Sequence, residues 1–155
     1  AVTEAGIPAL LVSHDASEAM RDADRVAVMR DGVILQEDTP EQLYLHPAHM
    51  AVARALGPLH TVRRDRLPEV WQAQLPEAQS YCLRPEAIRL DGAGEVALEV
   101  ARAQRTSSLI EIELKLNGTD TAQALAIGPF CPSAGEIVRV SLSPELVFPA
   151  PDEPV

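Results

Sequence analysis

The chain contains the stretch Leu109-Ile-Glu-Ile-Glu-Leu-Lys-Leu116, in which apolar and charged side chains alternate almost perfectly. Successive side chains of a β-strand point to opposite faces, so this alternation predicts a strand with one buried and one solvated face. Asn117-Gly118 follows at once, and this dipeptide predicts a tight hairpin into a second strand over 119–127. The second half of the chain is therefore expected to be antiparallel β structure.

Further short β-type runs surround this hairpin. We predict strands over 80–84, 88–90, 95–103 and 137–142, and a closing segment over 144–148. Several short strands separated by turn residues are typical of a small β-barrel or sandwich. Because aromatic residues make up only 3% of the chain, the core must be aliphatic.

The first part of the chain has a different pattern, in which short strands alternate with helices. The continuous apolar run Ala9–Val12 predicts a strand buried on both faces, as in a parallel α/β sheet. A short helix is predicted over 16–23, with Asp15 or Ser17 as its N-cap. This part is therefore expected to be α/β.

Turn and cap signals continue up to the residues that divide the chain. Asp31-Gly32 between β-branched runs predicts a hairpin. Thr39-Pro40-Glu41-Gln42 is a capping box with proline at the first helical position, so a helix should run to about Leu45. A second helix over 48–56 should stop at Gly57-Pro58.

We divide the chain into an α/β part over 1–57, a linker with early strand material over 58–79, and an all-β part over 80–155. The middle segment is mixed in composition and broken by prolines. The chain begins Ala1-Val2-Thr3, without Met and without the basic and apolar regions of a signal peptide, so we expect it to be a piece of something longer.

Composition excludes several classes of protein. No run approaches the ~20 apolar residues of a membrane span. The 155 residues carry a net charge of −10 and a single lysine, Lys115, which argues against nucleic acid as a partner. Two cysteines suit a reducing compartment. His46 and His49 lie three apart, but Pro47 breaks the helix between them, so no metal site is predicted.

His14 is the sharpest candidate for a functional residue. It follows the predicted strand Ala9–Val12, where an open α/β sheet places its ligands, and a helix begins just after it. A neutral imidazole there can donate one hydrogen bond to a phosphate oxygen. A structural or ordinary surface histidine remains the alternative, since position alone favours that role.

Four motifs run in order through the first part: Leu11-Val12-Ser13-His14-Asp15, Ser17-Glu18-Ala19-Met20, Ala23-Asp24-Arg25-Val26-Ala27-Val28-Met29 and Thr39-Pro40-Glu41. Together they resemble the end of the nucleotide-binding subunit of a bacterial ABC import transporter. The resemblance implies that His14 is the switch-region histidine, which contacts the γ-phosphate of ATP and helps to align the attacking water. Asp15 would follow it in the same nucleotide-binding loop.

Two positions depart from the family pattern. Ser13 replaces the usual threonine, which is a mild change. Asp38 replaces the glycine that usually precedes Thr-Pro, so this turn either avoids positive φ or relies on the tolerance of aspartate for it. Neither change touches the phosphate chemistry.

Cys82-Leu83-Arg84-Pro85-Glu86-Ala87-Ile88-Arg89-Leu90 resembles the signature of the TOBE domain, a small barrel related to the OB-fold. The resemblance implies an α/β fragment followed by an all-β, OB-like barrel, with an α+β fold overall. Such domains pair across the subunit dimer, and in some relatives they bind a regulatory small molecule or oxyanion. Arg84, Arg89 and the cluster Thr106-Ser107-Ser108 could donate to an anion. The alternative is a structural Arg84–Glu86 turn pair and an ordinary loop.

On this resemblance, the intact subunit would use ATP and Mg²⁺ to drive solute uptake. It would form a homodimer through the β domain and sit on the cytoplasmic face of the inner membrane, held by permease subunits. The chain has no phosphate-binding G-x-x-x-x-G-K-[ST] loop, no Leu-Ser-Gly-Gly-Gln signature and no apolar run ending in Asp-Glu. By itself it is therefore predicted to use no cofactor and to be inactive as an ATPase.

A second hypothesis is a free-standing regulatory β-module that binds a small oxyanion. A third, an OB-type binder of nucleic acid, is disfavoured by charge and by the scarcity of stacking aromatics.

On the hypothesis of an importer subunit, residues 1–5 match the helix before the switch strand. Apolar faces cut from a larger sheet would also lack their cover, so we expect dimerisation, repacking or disorder before Gly57. These faces include Leu10, Leu11, Val26, Val28, Ile34 and Leu35.

Overall fold

The computed structural model describes residues 8–151, and the chain divides into two compact units. The first unit comprises residues 1–57 and the second unit comprises residues 58–155. The helix expected over residues 1–5 lies outside the described residues. Within the described residues, no helix is long and apolar enough to cross a membrane.

Over residues 8–57, the first unit contains three short helices and one hairpin. Helix α1 spans Ala16–Asp22, strands β1 and β2 span Val26–Arg30 and Val33–Asp38, helix α2 spans Pro40–Leu45 and helix α3 spans Met50–Ala55. The helices and the hairpin predicted from caps and turn residues are therefore confirmed.

Local chemistry accounts for these elements. Asp31 and Gly32 both have positive φ, 51° and 79°, which is the backbone twist that a tight hairpin turn requires. The Thr39 side chain accepts a hydrogen bond from the N–H of Gln42 and caps α2. Asp38 is not among the residues with positive φ, and its Oδ1 accepts from the N–H of Thr39 at 2.8 Å. The turn before Thr39 therefore avoids positive φ, the first of the two alternatives.

The strand predicted over Ala9–Val12 is wrong. These residues form no strand, and the side chains of Leu10 and Val12 are 94% and 84% exposed. A strand buried on both faces needs neighbouring strands for its hydrogen bonds and helices for its faces. No strand among the described residues pairs with this run.

A small cluster forms the core of the first unit. Leu43, Val52 and Leu56 are buried, and partly buried side chains from α1 and the hairpin pack against them. Three of the apolar residues expected to lack cover are in that group, namely Val26, Val28 and Leu35. Leu10, Leu11 and Ile34 are exposed.

The second unit contains eight strands and one short helix among the described residues. In chain order they are β3 (His60–Arg63), α4 (Glu69–Gln72), β4 (Ser80–Leu83), β5 (Ile88–Arg89), β6 (Val96–Thr106), β7 (Leu109–Lys115), β8 (Thr121–Ile127), β9 (Ile137–Leu142) and β10 (Val147–Pro149). Short 3-10 turns cover Arg64–Arg66, Pro85–Ala87 and Pro144–Leu146.

Five of these strands form the barrel. They are hydrogen-bonded in the order β5-β9-β6-β7-β8, and all of the pairs are antiparallel. The edge strands β5 and β8 approach each other, so the sheet is nearly closed. The remaining three strands form a second sheet in the order β10-β4-β3. An α/β fragment followed by an OB-like barrel is the fold class expected from the sequence, and it is confirmed.

The core of the second unit is almost entirely aliphatic. Inward residues of β7, namely Ile110, Ile112 and Leu114, are at most 1% exposed, whereas Glu111 faces solvent. The alternation read from the sequence therefore places one face of β7 in the barrel interior.

The segment 58–79, expected to be a linker with early strand material, contributes to this core. Strand β3 pairs with β4, and Leu67, Trp71 and Leu75 belong to the buried cluster of the second unit. Trp71 is fully buried, and its Nε1 donates to Glu95 Oε1 at 3.1 Å. Part of the segment is therefore packed structure rather than a connector.

Candidate functional site

His14 lies in the first unit, immediately before α1. The residue is exposed and forms a bend between residues 8–13, which belong to no helix or strand, and Asp15. Within residues 8–151 the imidazole makes no hydrogen bond or ion pair. Its two ring nitrogens are therefore open to a ligand.

Asp15 is the N-cap of α1. Its Oδ1 accepts a hydrogen bond from the N–H of Ser17 at 2.8 Å, and its own N–H donates to Ser13 Oγ at 3.0 Å. Ser13 Oγ in turn donates to Glu18 Oε2 at 2.6 Å. This network satisfies main-chain groups at the start of α1 and fixes the course of the chain on both sides of His14. Asp15 was one of the two N-caps predicted from the sequence.

The arrangement around His14 fits one contact to a phosphate, because an exposed imidazole can donate a hydrogen bond to a phosphate oxygen. The Asp15 carboxylate carries the same sign of charge as a phosphate and is engaged as a helix cap. Of the two side chains, His14 is therefore the one that can donate to an anion, and Asp15 holds the first turn of α1.

Arg84 lies in the second unit and is fully buried. Its Nη1 is 3.4 Å from the carbonyl oxygen of Pro58, and its guanidinium carbon is 5.8 Å from the centre of the Phe148 ring. A charged side chain is buried only where other groups compensate its lost hydration. These contacts place Arg84 within the packed structure of the unit.

Arg89 has a different environment, although it is only five residues further on. Its side chain is 63% exposed, and its Nη2 lies 3.6 Å from Glu145 Oε1. An exposed pair of this kind contributes little to stability, so an incoming anion can compete with Glu145 for the guanidinium.

The hydroxyl cluster Thr106-Ser107-Ser108 lies at the turn between β6 and β7. All three residues are exposed, and Ser107 has a φ of 58°, in the left-handed region. Nearby, Arg105 Nη2 donates to the carbonyl oxygen of Pro129 at 2.9 Å. The structure thus provides an exposed polar turn, and it gives Arg84, Arg89 and this cluster three different settings.

The second unit has a shallow groove that no pattern in the sequence predicted. It is lined by Arg63, Arg64, Asp65, Gln72, Glu77, Ala78, Gln79 and Ser80. Arg63 forms a two-bond pair with Asp65, and Arg64 donates to the main chain of Gln72 and Pro76 and to Tyr81. The adjacent arginines were visible in the sequence, but nothing in the pattern showed that the chain would fold around them.

The remaining candidates are the two cysteines and the histidines His46 and His49. Cys82 is buried, whereas Cys131 is exposed. His46 and His49 flank helices α2 and α3 as cap residues. Within residues 8–151, no group of three or more metal-ligating side chains is suited to hold an ion.

Comparison with known proteins identifies the class. The chain is 33% identical over 161 aligned residues to the uncharacterized ABC transporter ATP-binding protein YdcT of Escherichia coli, covering 96% of this chain and 45% of that protein. It is 32% identical to the Fe(3+) ions import ATP-binding protein of Mesorhizobium japonicum, with 90% and 47% covered. It is 30% identical to a sulfate/thiosulfate import ATP-binding protein of Rhizobium meliloti, with 90% and 44% covered.

These relatives confirm the resemblance drawn from the sequence motifs. The chain corresponds to the C-terminal part of the ATP-binding subunit of a bacterial ABC importer. It spans a little less than half the length of the curated relatives that it matches. No family model matches the chain.

Proposed function

We propose that this chain is part of the ATPase subunit of an ABC importer, a subunit that couples ATP hydrolysis to solute uptake. The observation that carries the proposal is the similarity over nine-tenths or more of the chain to importer ATP-binding proteins. The exposed His14 and its capped helix support it.

In the intact subunit, ATP with Mg²⁺ supplies the phosphoanhydride bond whose cleavage drives transport. His14 would contact the γ-phosphate and orient the attacking water through its imidazole. Asp15 would hold the loop, because its carboxylate fixes the first turn of α1 directly after His14. His14 is thus the catalytic residue of this segment, and Asp15 is a positioning residue.

The second unit would act as a regulatory, TOBE-type domain that holds two subunits together. Its nearly closed barrel supports this assignment. The partners of the intact subunit would be a second copy and the permease subunits, which would place it peripherally on the cytoplasmic face of the inner membrane. A regulatory anion would be bound either through Arg89 or at the hydroxyl cluster Thr106-Ser107-Ser108, whereas the buried Arg84 would support the domain from within.

The decisive experiment replaces His14 in the full-length subunit assembled with its permease. His14→Ala should abolish transport and leave ATP binding largely unchanged, because the imidazole acts on the γ-phosphate and not on the rest of the nucleotide. The fold should be unaffected, since the side chain is exposed. His46→Ala is the matched control, as it also removes an exposed imidazole of the first unit. Transport that survives His14→Ala would count against the assignment.

A free-standing oxyanion-binding module is the second candidate, and calorimetry tests it, because the absence of tight binding would exclude it. The chain would be titrated with molybdate, sulfate and phosphate. A free-standing sensor should bind one of them tightly and lose that binding in Arg89→Gln. A regulatory domain of a transporter subunit has no such requirement.

A further inference from the structure

Asn117 and Gly118 form the turn between β7 and β8, and Asn117 is the only asparagine of the chain. Both residues are exposed, and Gly118 has a φ of 77°. Their role in the hairpin explains why the pair is present. The pair can also react, because an Asn-Gly peptide combines a side-chain amide with a main-chain nitrogen that no side chain shields.

The groups that would react are accessible. Within residues 8–151, neither the N–H of Gly118 nor Oδ1 of Asn117 takes part in a hydrogen bond. Asn117 is held through two other groups: its N–H donates to the carbonyl oxygen of Arg66 at 3.1 Å, and its Nδ2 donates to that of Leu67 at 3.2 Å. The turn is thus anchored to the segment before α4 while its reactive amide nitrogen remains open to solvent.

A positive charge lies beside this nitrogen. Arg66 Nη1 lies close enough to Gly118 that a Cβ on that residue would overlap it, and Arg66 Nε lies 3.8 Å from Asp120 Oδ2. A nearby cation favours the deprotonated form of a group, so Arg66 favours loss of the amide proton of Gly118. That deprotonated nitrogen is the nucleophile of succinimide formation.

We propose that Asn117 is a site of spontaneous deamidation in the folded protein and that Arg66 promotes it. The Gly118 nitrogen attacks Cγ of Asn117 and forms the new C–N bond. The Cγ–Nδ2 bond then breaks, and Nδ2 leaves as ammonia with the proton released from the Gly118 amide. Water opens the ring at one of its two carbonyl carbons and leaves aspartate or isoaspartate at position 117.

The product cannot restore the original contacts. A carboxylate has no hydrogen to donate to the carbonyl oxygen of Leu67. Isoaspartate also adds a methylene group to the main chain, which displaces the N–H of residue 117 from the carbonyl oxygen of Arg66. Deamidation therefore releases the turn from the segment that carries Leu67 into the core of the second unit.

The test is a time course of the purified chain at mildly alkaline pH, followed by intact mass and by isoaspartate labelling of the peptide that begins at Leu116. The folded chain should gain the mass difference between an amide and an acid, and the label should fall on residue 117. Asn117→Gln should not change in mass over the same period. It also gives the background of the isoaspartate assay from Asp31-Gly32 and Asp91-Gly92.

Arg66→Gln tests the proposed promotion, and Arg63→Gln is its matched control because Arg63 is an exposed arginine paired with Asp65 instead. Deamidation should slow severalfold in Arg66→Gln only. Equal rates in the two variants would overturn the role of Arg66. A folded chain that keeps its mass while the same chain in urea deamidates would overturn the site itself.

Discussion

The two units of the chain differ in how much of their stability lies within themselves. The second unit buries a continuous, mostly aliphatic core inside a nearly closed barrel, whereas the buried cluster of the first unit consists of Leu43, Val52 and Leu56. Large apolar side chains of the first unit remain exposed, among them Leu10, Val12 and Met29. Exposed apolar side chains also occur in the second unit, among them Ile127, Phe130 and Ile137, so the two units differ in the size of the buried core rather than in the presence of exposed apolar surface.

The largest expected effect comes from a substitution just before β6, which should separate two strands of the barrel. A Cβ added at the buried Gly94 would overlap the main chain of Val140 on β9, so Gly94→Ala must push the two strands apart. We expect a loss of about 3 kcal/mol or more in the free energy of unfolding, at the upper end of the cost of overpacking. Urea denaturation followed by circular dichroism measures it.

Gly92→Ala is the matched control for this substitution. A Cβ there meets nothing within 4 Å, but Gly92 has a φ of 71°, so the change should cost only about 1 kcal/mol of backbone strain. Equal losses in the two variants would show that the close approach of Gly94 to β9 does not limit the barrel.

Hydrogen exchange compares the two units directly. Amides in the middle of β7 should exchange at least about a hundredfold more slowly than those of the hairpin β1–β2, which corresponds to about 2.7 kcal/mol. The reason is that β7 has a partner on each side and one face in the core, whereas β1 and β2 pair only with each other. Similar protection in both places would contradict the comparison. Repeating the measurement at a second pH, where the intrinsic rate of amide exchange differs, checks that the rates report the opening equilibrium of each strand.

The smallest expected effect is on the stability of the second unit at acidic pH. Ser141 Oγ donates to Asp91 Oδ2 at 2.6 Å, and this hydrogen bond holds the pKa of Asp91 below its usual range. A carboxyl group with a lowered pKa in the folded state stabilises the fold above its unfolded pKa of about 4. That stabilisation is lost as the pH falls through the folded value.

Ser141→Ala should therefore make the loss of stability below about pH 4 shallower. Thermal melts at about five pH values between pH 3 and pH 7 would show how steeply the melting temperature falls with pH. Ser133→Ala is the control, because Ser133 contacts Glu136 through its main-chain N–H and keeps that contact without its hydroxyl. Parallel pH profiles for Ser141→Ala and the unsubstituted chain would contradict the assignment.

Local signals predicted much of the fold. Asp31-Gly32 and Asn117-Gly118 marked hairpins, Thr39 marked the start of α2, and the strand expected over 137–142 has the observed bounds. The two hairpins and the cap of α2 depend on contacts between residues close in the sequence, and the strand over 137–142 shows its own alternation of side chains, although its partners β5 and β6 are distant in the sequence.

Features that depend on distant partners were not visible in the same way. The apolar run Ala9–Val12 reads as a buried strand, but pairing and cover must come from elsewhere, and the described residues provide neither. Leu67 and Trp71 stand among polar residues and prolines without periodicity, yet both are fully buried. The candidate site shows the same limit, since neighbouring positions of one motif place Arg84 inside the unit and Arg89 at its surface.

Trp71 has a consequence for how this protein can be observed. It is the only tryptophan of the chain, and it is fully buried against the barrel with its indole N–H bound to Glu95. The tryptophan emission, excited at wavelengths that Tyr44 and Tyr81 do not absorb, therefore comes from one side chain in one environment, and its wavelength reports whether the segment before β4 is packed. The protein carries its own optical probe, which needs no label and reads the second unit alone.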